Sequence, residues 1–421
     1  MKTPIIAVLG LGYVGLPLAR LLSTKFKTVG FDLSKSRVES INKGEDTTGE
    51  LDNELLLSAI NAGFKATTLE GDLQECNVYI VAVPTPVDVN NHPDLKPLLG
   101  ASEIVGRVIS NGDVVIYEST VYPGMTEENC VPVVEKVSGL IYNKDFYAGY
   151  SPERINPGDK LHTVENICKV TSGSTPDIAE YVDYIYRSVL IGGTYKASSI
   201  RVAEASKIVE NSQRDVNIAF VNEIAKICGA MGIDTLDVLE AASTKWNFIN
   251  MRPGLVGGHC IGVDPYYLIQ KALVYGVMPR IMNESRRLND AVGEYVAEQI
   301  IKLMNIKGVK VRDAKVLVLG FTFKENCPDI RNTKIVDIIN GFAPYTSNVT
   351  ICDPCADVEE VKEEYGLSIV SQIPDEIFDV VIVAVAHTQF LSVDLTKYVG
   401  EDRVIYDVKG CMERSMVDGR L

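Results

Sequence analysis

Short runs of consecutive apolar residues alternate with longer amphipathic stretches through the first two hundred positions, the runs falling at 5–9, 28–31, 78–83 and 114–117. Strands apolar on both faces and separated by helical stretches predict a parallel sheet covered by helices on each side, the doubly wound α/β class. From 198 to 228 there is neither Gly nor Pro, and Val202, Ala205, Val209, Val216, Phe220 and Ile224 recur at helical spacing. This pattern predicts one long helix. A Gly- and Pro-rich stretch at 252–265 and a second helical region around 283–304 follow. Alternation then returns, with strands expected at 315–319, 349–352, 380–385 and 404–406. The expected organisation is two α/β parallel-sheet domains, 1–197 and 309–421, joined by a long central helix and a helical middle domain, 198–308. The echo between the two ends is architectural, with no short-period repeat and no low-complexity segment.

At 421 residues the chain exceeds the usual size of one domain, and 46% hydrophobic residues suffice for ordinary cores. A formal net charge of −15 argues against a general nucleic-acid or anionic-membrane binder. Any phosphate-bearing ligand must therefore be held by local donors. The apolar runs are far shorter than the roughly 20 residues a membrane span needs. Met1-Lys2-Thr3 leads straight into a strand-like run, without the features of a secretory signal, so a cytoplasmic location is expected. Nine cysteines at irregular spacing do not describe a disulfide framework. Cys352-Asp-Pro-Cys355 is a single CxxC without a second pair, and no metal site is expected.

The run 5–9 leads into Gly10-Leu-Gly12-Tyr13-Val14-Gly15 at the opening of a helix, and Asp32 closes the next strand at about the 20-residue distance expected of a ribose-binding acid. Gly10 allows the tight turn, Gly12 lets a pyrophosphate approach backbone N–H groups, and Gly15 lets the helix pack closely. A carboxylate at Asp32 favours NAD over NADP, whose 2′-phosphate would meet like charge. Arg37 pulls the other way, because a nearby arginine can accommodate that phosphate. The first domain is thus expected to be Rossmann-like.

The segment 253–265 holds Gly254, Gly257, Gly258 and Gly262 around a single cysteine, Cys260, followed by Asp264. Lys207 and Asn211 stand four residues apart on the long helix and so share a face. Glu118-Ser119-Thr120 and Ser151-Pro-Glu153-Arg154 follow short strand-like stretches, where the carboxyl edge of a parallel sheet places ligand-binding loops.

Together with Gly10-Leu-Gly-Tyr-Val-Gly-Leu-Pro17, Val83-Pro84-Thr85-Pro86, Gly257-Gly-His-Cys260, Gly320-Phe-Thr-Phe323-Lys324 and Pro328-Asp-Ile-Arg331, these motifs resemble the UDP-glucose/GDP-mannose dehydrogenases over essentially the whole chain. The resemblance implies two successive hydride transfers to NAD at one site. Cys260 would capture the C6 aldehyde of a nucleotide sugar as a thiohemiacetal, which is oxidised to a thioester and hydrolysed. A thiolate suits this step, because an aldehyde has no easy second hydride to give until a nucleophile adds to it. Lys207 would lower the thiol's pKa and stabilise the oxyanion, with Asn211 adding a hydrogen bond. Asp264, Thr120 and Glu153 would serve the proton and water network. Tyr13, Val14, Pro84, Thr85, Ser119 and Arg331 join the glycines, Asp32 and Arg37 as implied cofactor contacts. The implied sugar-nucleotide contacts are Glu153, Arg154, Lys207, Asn211, Arg252, Gly254, Gly257, Gly258, Tyr266, Phe323, Lys324 and Lys409.

Two departures from the UDP-glucose pattern narrow the substrate: Cys260-Ile-Gly262-Val263-Asp264 replaces Cys-x-Pro-Lys-Asp, and Arg154 follows Ser-Pro-Glu. Both resemble the UDP-N-acetylhexosamine 6-dehydrogenases of capsule and O-antigen pathways, the Vi-antigen type above all. UDP-N-acetylglucosamine is preferred on that resemblance, with the galactosamine and mannosamine epimers and UDP-glucose as alternatives. A two-electron dehydrogenase of the hydroxyacid type would need neither Cys260 nor a second α/β domain. A non-catalytic NAD sensor would not need Cys260, Lys207, Asn211 and Asp264 in order. The long helix carries more apolar surface than one small domain can cover, which predicts a homodimer built through the middle segment.

Overall fold

A computed structural model describes residues 2–88, 93–155, 163–258 and 261–421. Its contacts form two compact units, Met1–Glu210 with Tyr266–Gly276 and Asn211–Pro265 with Val277–Leu421. The segment 198–308 is shared between them.

The first unit is built on eight strands: β1 Ile5–Leu9, β2 Lys27–Phe31, β3 Lys65–Thr67, β4 Val78–Val81, β5 Asp113–Tyr117, β6 Phe146–Tyr150, β7 Lys169–Gly173 and β8 Thr194–Lys196, in the order β3-β2-β1-β4-β5-β6-β7-β8. Neighbours run parallel except β6 and β7, which are antiparallel. The apolar runs alternate faces. Ala7, Leu9, Tyr79, Val81, Val115 and Tyr117 enter one core, while Ile6, Val8, Val78, Ile80, Val114 and Ile116 enter the other. Burial on both sides is why these strands read as continuous apolar stretches.

Register decides where the loops emerge. Leu9 lies opposite Phe31 and Val81, Val81 opposite Tyr117, and Tyr117 opposite Tyr150. The segments after β1, β2, β4, β5 and β6 therefore leave side by side along one carboxyl edge, where open α/β sheets bind ligands.

The second unit repeats the plan with six parallel strands: β9 Val316–Leu319, β10 Val349–Cys352, β11 Ile369–Val370, β12 Phe378–Val383, β13 Val399–Asp407 and β14 Gly419–Arg420, in the order β11-β10-β9-β12-β13-β14. Leu319 lies opposite Cys352 and Val383, and Val383 opposite Asp407, so its carboxyl edge is aligned in the same way.

The long helix runs Ile200–Met231, close to the stretch expected from sequence. Val202, Val209, Phe220 and Ile227 are exposed, while Glu204, Lys207, Asn211, Ser212, Asp215 and Asn222 are buried. The second helical region is two helices, Arg280–Asp290 and Val292–Lys307, meeting at Ala291. Gly293 opens the second of these so tightly that a Cβ there would lie 2.6 Å from Asp337 Cβ. Among the described residues no helix is long and apolar enough to cross a membrane.

Candidate active site

The Gly-rich turn leaves β1 with Gly10 at φ +91°, a backbone region that favours glycine. A Cβ on Gly10 would lie 2.7 Å from the Ala82 carbonyl oxygen, and one on Gly15 only 1.8 Å from that of Gly10. Nothing lies within 4 Å of a Cβ on Gly12. The fold itself thus demands two of the glycines. The third leaves open the approach that a pyrophosphate needs at the start of the helix Gly15–Ser23, which has no side-chain N-cap. Asp32 follows β2, accepts the Leu11 N–H on Oδ2 and the Ser34 N–H on Oδ1, both at 2.9 Å, and keeps acceptor capacity on each oxygen. Arg37 is occupied elsewhere. Its Nε donates to the Leu11 carbonyl at 2.8 Å, Nη1 to Thr47 at 2.9 Å, and Nη2 pairs with Asp46 at 2.8 Å. An arginine so committed is not free to hold a 2′-phosphate, and these residues fit NAD. Tyr13 and Val14 stand inside the turn, and Tyr13 also lines a cavity with Pro17, Arg20, Leu51 and Ile155.

Pro84 and Thr85 follow β4 in a loop fastened from two sides. The Ser119 hydroxyl donates to the Val83 carbonyl at 2.6 Å, and the buried Tyr267 hydroxyl donates to the carbonyls of Thr85 and Pro86 at 3.0 and 3.2 Å. Tyr267 was not singled out from sequence, whereas its neighbour Tyr266 was; Tyr266 is half-buried. Thr120 is half-buried beside Ser119, in the loop after β5.

Glu153 accepts the N–H groups of Arg154 and Ile155 on Oε1, both at 2.6 Å. Its other oxygen faces Lys169, which opens β7, is fully buried, and was not found from sequence. The Lys169 ammonium donates to Glu118 at 2.6 Å, to the Pro152 carbonyl at 3.1 Å and to Glu153 Oε2 at 3.3 Å. The Tyr186 hydroxyl donates to the second oxygen of Glu118. Burial pushes the Glu118 carboxyl up to about 7, against the pull of Lys169 and with the charge of Glu153 adding to it. The only sequence signal for Lys169 is a lone cation inside a strand, which must find partners if buried. Arg154 pairs with Glu210 at 2.9 Å and donates to the Cys168 carbonyl, tying its loop to the long helix.

Lys207 is buried on that helix. One turn earlier Glu204 accepts the N–H groups of Gly124 and Thr126, at 2.5 and 2.9 Å, and so fixes the segment just after Thr120. Burial raises the Glu204 carboxyl to about 7.

In the second unit, the Asn211 amide donates to Asp264, which opens the helix Asp264–Val274. The structure brings these two together. Asn222 makes a two-way bridge with Gly254, accepting its N–H at 2.8 Å and donating to its carbonyl at 3.0 Å, and donates to Asn289 at 2.9 Å. Two of the glycines implied as sugar-nucleotide contacts lie close against the chain itself. A Cβ on Gly257 would lie 2.7 Å from the Asn332 carbonyl oxygen, and one on Gly258, at φ +78°, 2.8 Å from the Phe323 ring. Arg252 is exposed. His259 and Cys260 lie outside the described residues.

At the carboxyl edge of the second sheet, Gly257, Phe323, Lys334, Val385 and Lys409 line one crevice. Lys334, which pairs with Asp290 at 3.1 Å and Asp337 at 3.4 Å, is a cation the sequence reading did not pick out. Lys324 is half-buried in the turn after β9, and Lys409 lies 3.8 Å from Glu325. Arg331 forms a two-point pair with Asp329, at 2.8 and 2.5 Å.

Asp353, Cys355 and His387 gather donor atoms within 4.8 Å of one another. Asp353 is already engaged, accepting N–H groups of Phe321, Thr322, Cys355 and Ala356 at 2.6 to 3.0 Å and meeting His387 Nε2 at 3.1 Å. The cluster ties the turn after β9 to the end of β10.

A mostly parallel sheet with a dinucleotide turn, and a second whose six strands repeat the order of the first six, with cations at its carboxyl edge, are the frame of an NAD-dependent dehydrogenase. Three domain models of the UDP-glucose/GDP-mannose dehydrogenase family match the chain: the NAD binding domain over 4–190, the central domain over 201–291 and the UDP binding domain over 317–414. The chain belongs to this family and is an NAD-dependent nucleotide-sugar dehydrogenase. It is 53% identical to a UDP-N-acetyl-D-glucosamine 6-dehydrogenase of Pseudomonas aeruginosa, with 100% of each chain covered. It is 52% identical to the enzyme of the same name from Salmonella typhi, over 99% of this chain and 98% of that one. Among solved structures, a UDP-D-ManNAc dehydrogenase from Pyrococcus horikoshii matches with a TM-score of 0.88 at 29% identity, covering 99% of this chain and 98% of that one.

Proposed function

We infer that the protein oxidises C6 of UDP-N-acetyl-D-glucosamine to the uronic acid, in the cytoplasm, for a surface polysaccharide such as a capsule or O-antigen. The observation that carries the reading is the 53% identity, over the full length of both chains, to an enzyme bearing that name. When bound at the Gly-rich turn, NAD supplies the hydride acceptor, so that one sugar alcohol, two NAD and one water give one carboxylate, two NADH and three protons. Cys260 adds as thiolate to the aldehyde carbon and holds the sugar through the thiohemiacetal and thioester. Lys207 stabilises the oxygen that gains charge as the thiolate adds. Asn211, oriented by Asp264, donates to that oxygen, while Asp264, Thr120 and Glu153 order water and carry the protons released. Lys324, Lys409 and the Gly257–Phe323 crevice serve the nucleotide.

The test is to count NADH per sugar with UDP-GlcNAc, UDP-GalNAc, UDP-ManNAc and UDP-glucose in turn. Two equivalents with UDP-GlcNAc, at the highest kcat/KM of the four, are expected. One equivalent removes the covalent mechanism, and a preference for UDP-glucose overturns the substrate reading.

The same reading makes the protein a homodimer. The long helix turns Val202, Val209, Phe220 and Ile227 outward, and the exposure of Phe220 is 55%. Apolar side chains repeated along one exposed helix face favour a partner surface. Light scattering at micromolar concentration should give twice the 46.1 kDa of one chain, and Phe220→Asp should lower that mass toward one chain. A wild-type monomer would refute the dimer.

A further inference from the structure

Lys169 is a fully buried cation with all three ammonium donors in use: Glu118 at 2.6 Å, the Pro152 carbonyl at 3.1 Å and Glu153 at 3.3 Å. It reaches them because β7 alone runs antiparallel to its neighbour β6, with Tyr150 opposite Ser172. That reversal sets the first residue of β7 over the ends of β5 and β6, where Glu118 and Glu153 stand. A buried ammonium is costly unless fully paired, and a hydrophobic residue would close this strand end at less cost. The position therefore calls for an explanation beyond stability.

We propose that Lys169, together with Glu118, is a positioning residue that holds the Glu153 carboxylate ionised and in one orientation for proton transfer. This rests on the role given to Glu153 above. Two backbone N–H groups fix Oε1 of Glu153 and the ammonium approaches Oε2. One acceptor site on Oε2 is left for water or a sugar hydroxyl. The cluster carries two carboxylates for one ammonium, so one of them takes up a proton first. Glu118 is the more deeply buried and is also bonded to Tyr186, and burial holds its carboxyl up near 7. It takes that proton, and Glu153 remains the anion. Among the described residues, the Arg154–Glu210 pair ties the Glu153 loop to the long helix.

The experiment compares Lys169→Met, Glu118→Gln, the double variant and Glu153→Gln by kcat against pH, by NAD dissociation constant and by thermal midpoint. Without its ammonium, Glu153 competes with Glu118 for the proton. Lys169→Met should therefore move the acidic limb of kcat up by at least about one pH unit and lower kcat at pH 7 by about 10- to 100-fold. NAD affinity should stay within about two-fold. Glu118→Gln keeps the uncharged state that Glu118 has on the acidic limb and should leave the limb within about half a pH unit, and the double variant should lie below Lys169→Met. A folded Lys169→Met with the wild-type limb overturns the proposal. If Lys169→Met fails to fold, a limb moved down by about one pH unit in Glu118→Gln, which would show Glu118 charged on that limb, overturns it instead. Wild-type kcat in Glu153→Gln overturns the role of Glu153 itself, a failure distinct from that of Lys169.

Discussion

Replacing Cys260 by serine is expected to lower uronate formation by about 10³- to 10⁵-fold while leaving NAD affinity within about two-fold. The first oxidation needs only a base for the C6 hydroxyl and a hydride acceptor, and neither is the thiol. The second needs a tetrahedral carbon bearing hydrogen. A thiolate forms that adduct near neutral pH, whereas a serine hydroxyl is almost wholly protonated there. The variant should thus release one NADH per sugar together with an aldehyde that hydroxylamine traps. Two NADH per sugar from Cys260→Ser, at a rate near wild type, would end the covalent mechanism. No aldehyde and no NADH, with NAD still bound, would mean that the thiol also helps seat the substrate.

The second large effect separates two glycines of one motif. A methyl on Gly15 would sit 1.8 Å from the Gly10 carbonyl oxygen, and backbone on both sides of the contact leaves nowhere to give. Gly15→Ala should cost on the order of 3 kcal/mol or more, lower the thermal midpoint by roughly 6–12 °C, and lose NAD with the distorted turn. A methyl on Gly12 meets nothing within 4 Å, so Gly12→Ala should keep the wild-type midpoint within about 2 °C. Its NAD dissociation constant should still rise by about 10- to 100-fold, because the methyl takes the space of the pyrophosphate. Calorimetry and a binding titration on the two variants check this directly. Wild-type NAD affinity in Gly12→Ala would place the cofactor's phosphates elsewhere.

What the sequence made legible was whatever is written locally. The apolar runs of β1, β2, β4, β5, β9, β10 and β12 carry their own burial, and the glycine turn with Asp32 is spelled within some twenty residues. Asn211 and Asp264 were singled out one at a time by family order, and the bond between them came from the structure. Lys169 was not legible, since its meaning lies in Glu118 and Glu153, 51 and 16 residues away in the chain. Arg37 looked like an NADP signal until its partners Leu11, Thr47 and Asp46 were seen to engage it. On the long helix the periodic apolar residues were correctly read as helical, but the periodicity cannot say whether a stripe faces its own core. Here several of its members face out, and polar side chains that bind loops, such as Glu204 and Asn222, are buried instead. The glycines near Cys260 were read as room for a ligand, yet Gly257 and Gly258 already have Asn332 and Phe323 against them.

The six strands of the second sheet repeat the order of the first six of the other, and each sheet puts an aspartate just past its second strand, Asp32 in one and Asp353 in the other. A carboxylate offers about four lone pairs. Asp32 spends two on Leu11 and Ser34 and can still greet a ribose diol. Asp353 takes four backbone N–H groups besides its histidine contact and is sealed from solvent. The aspartate after the second strand therefore keeps acceptor capacity at the first sheet and is spent on its own backbone at the second.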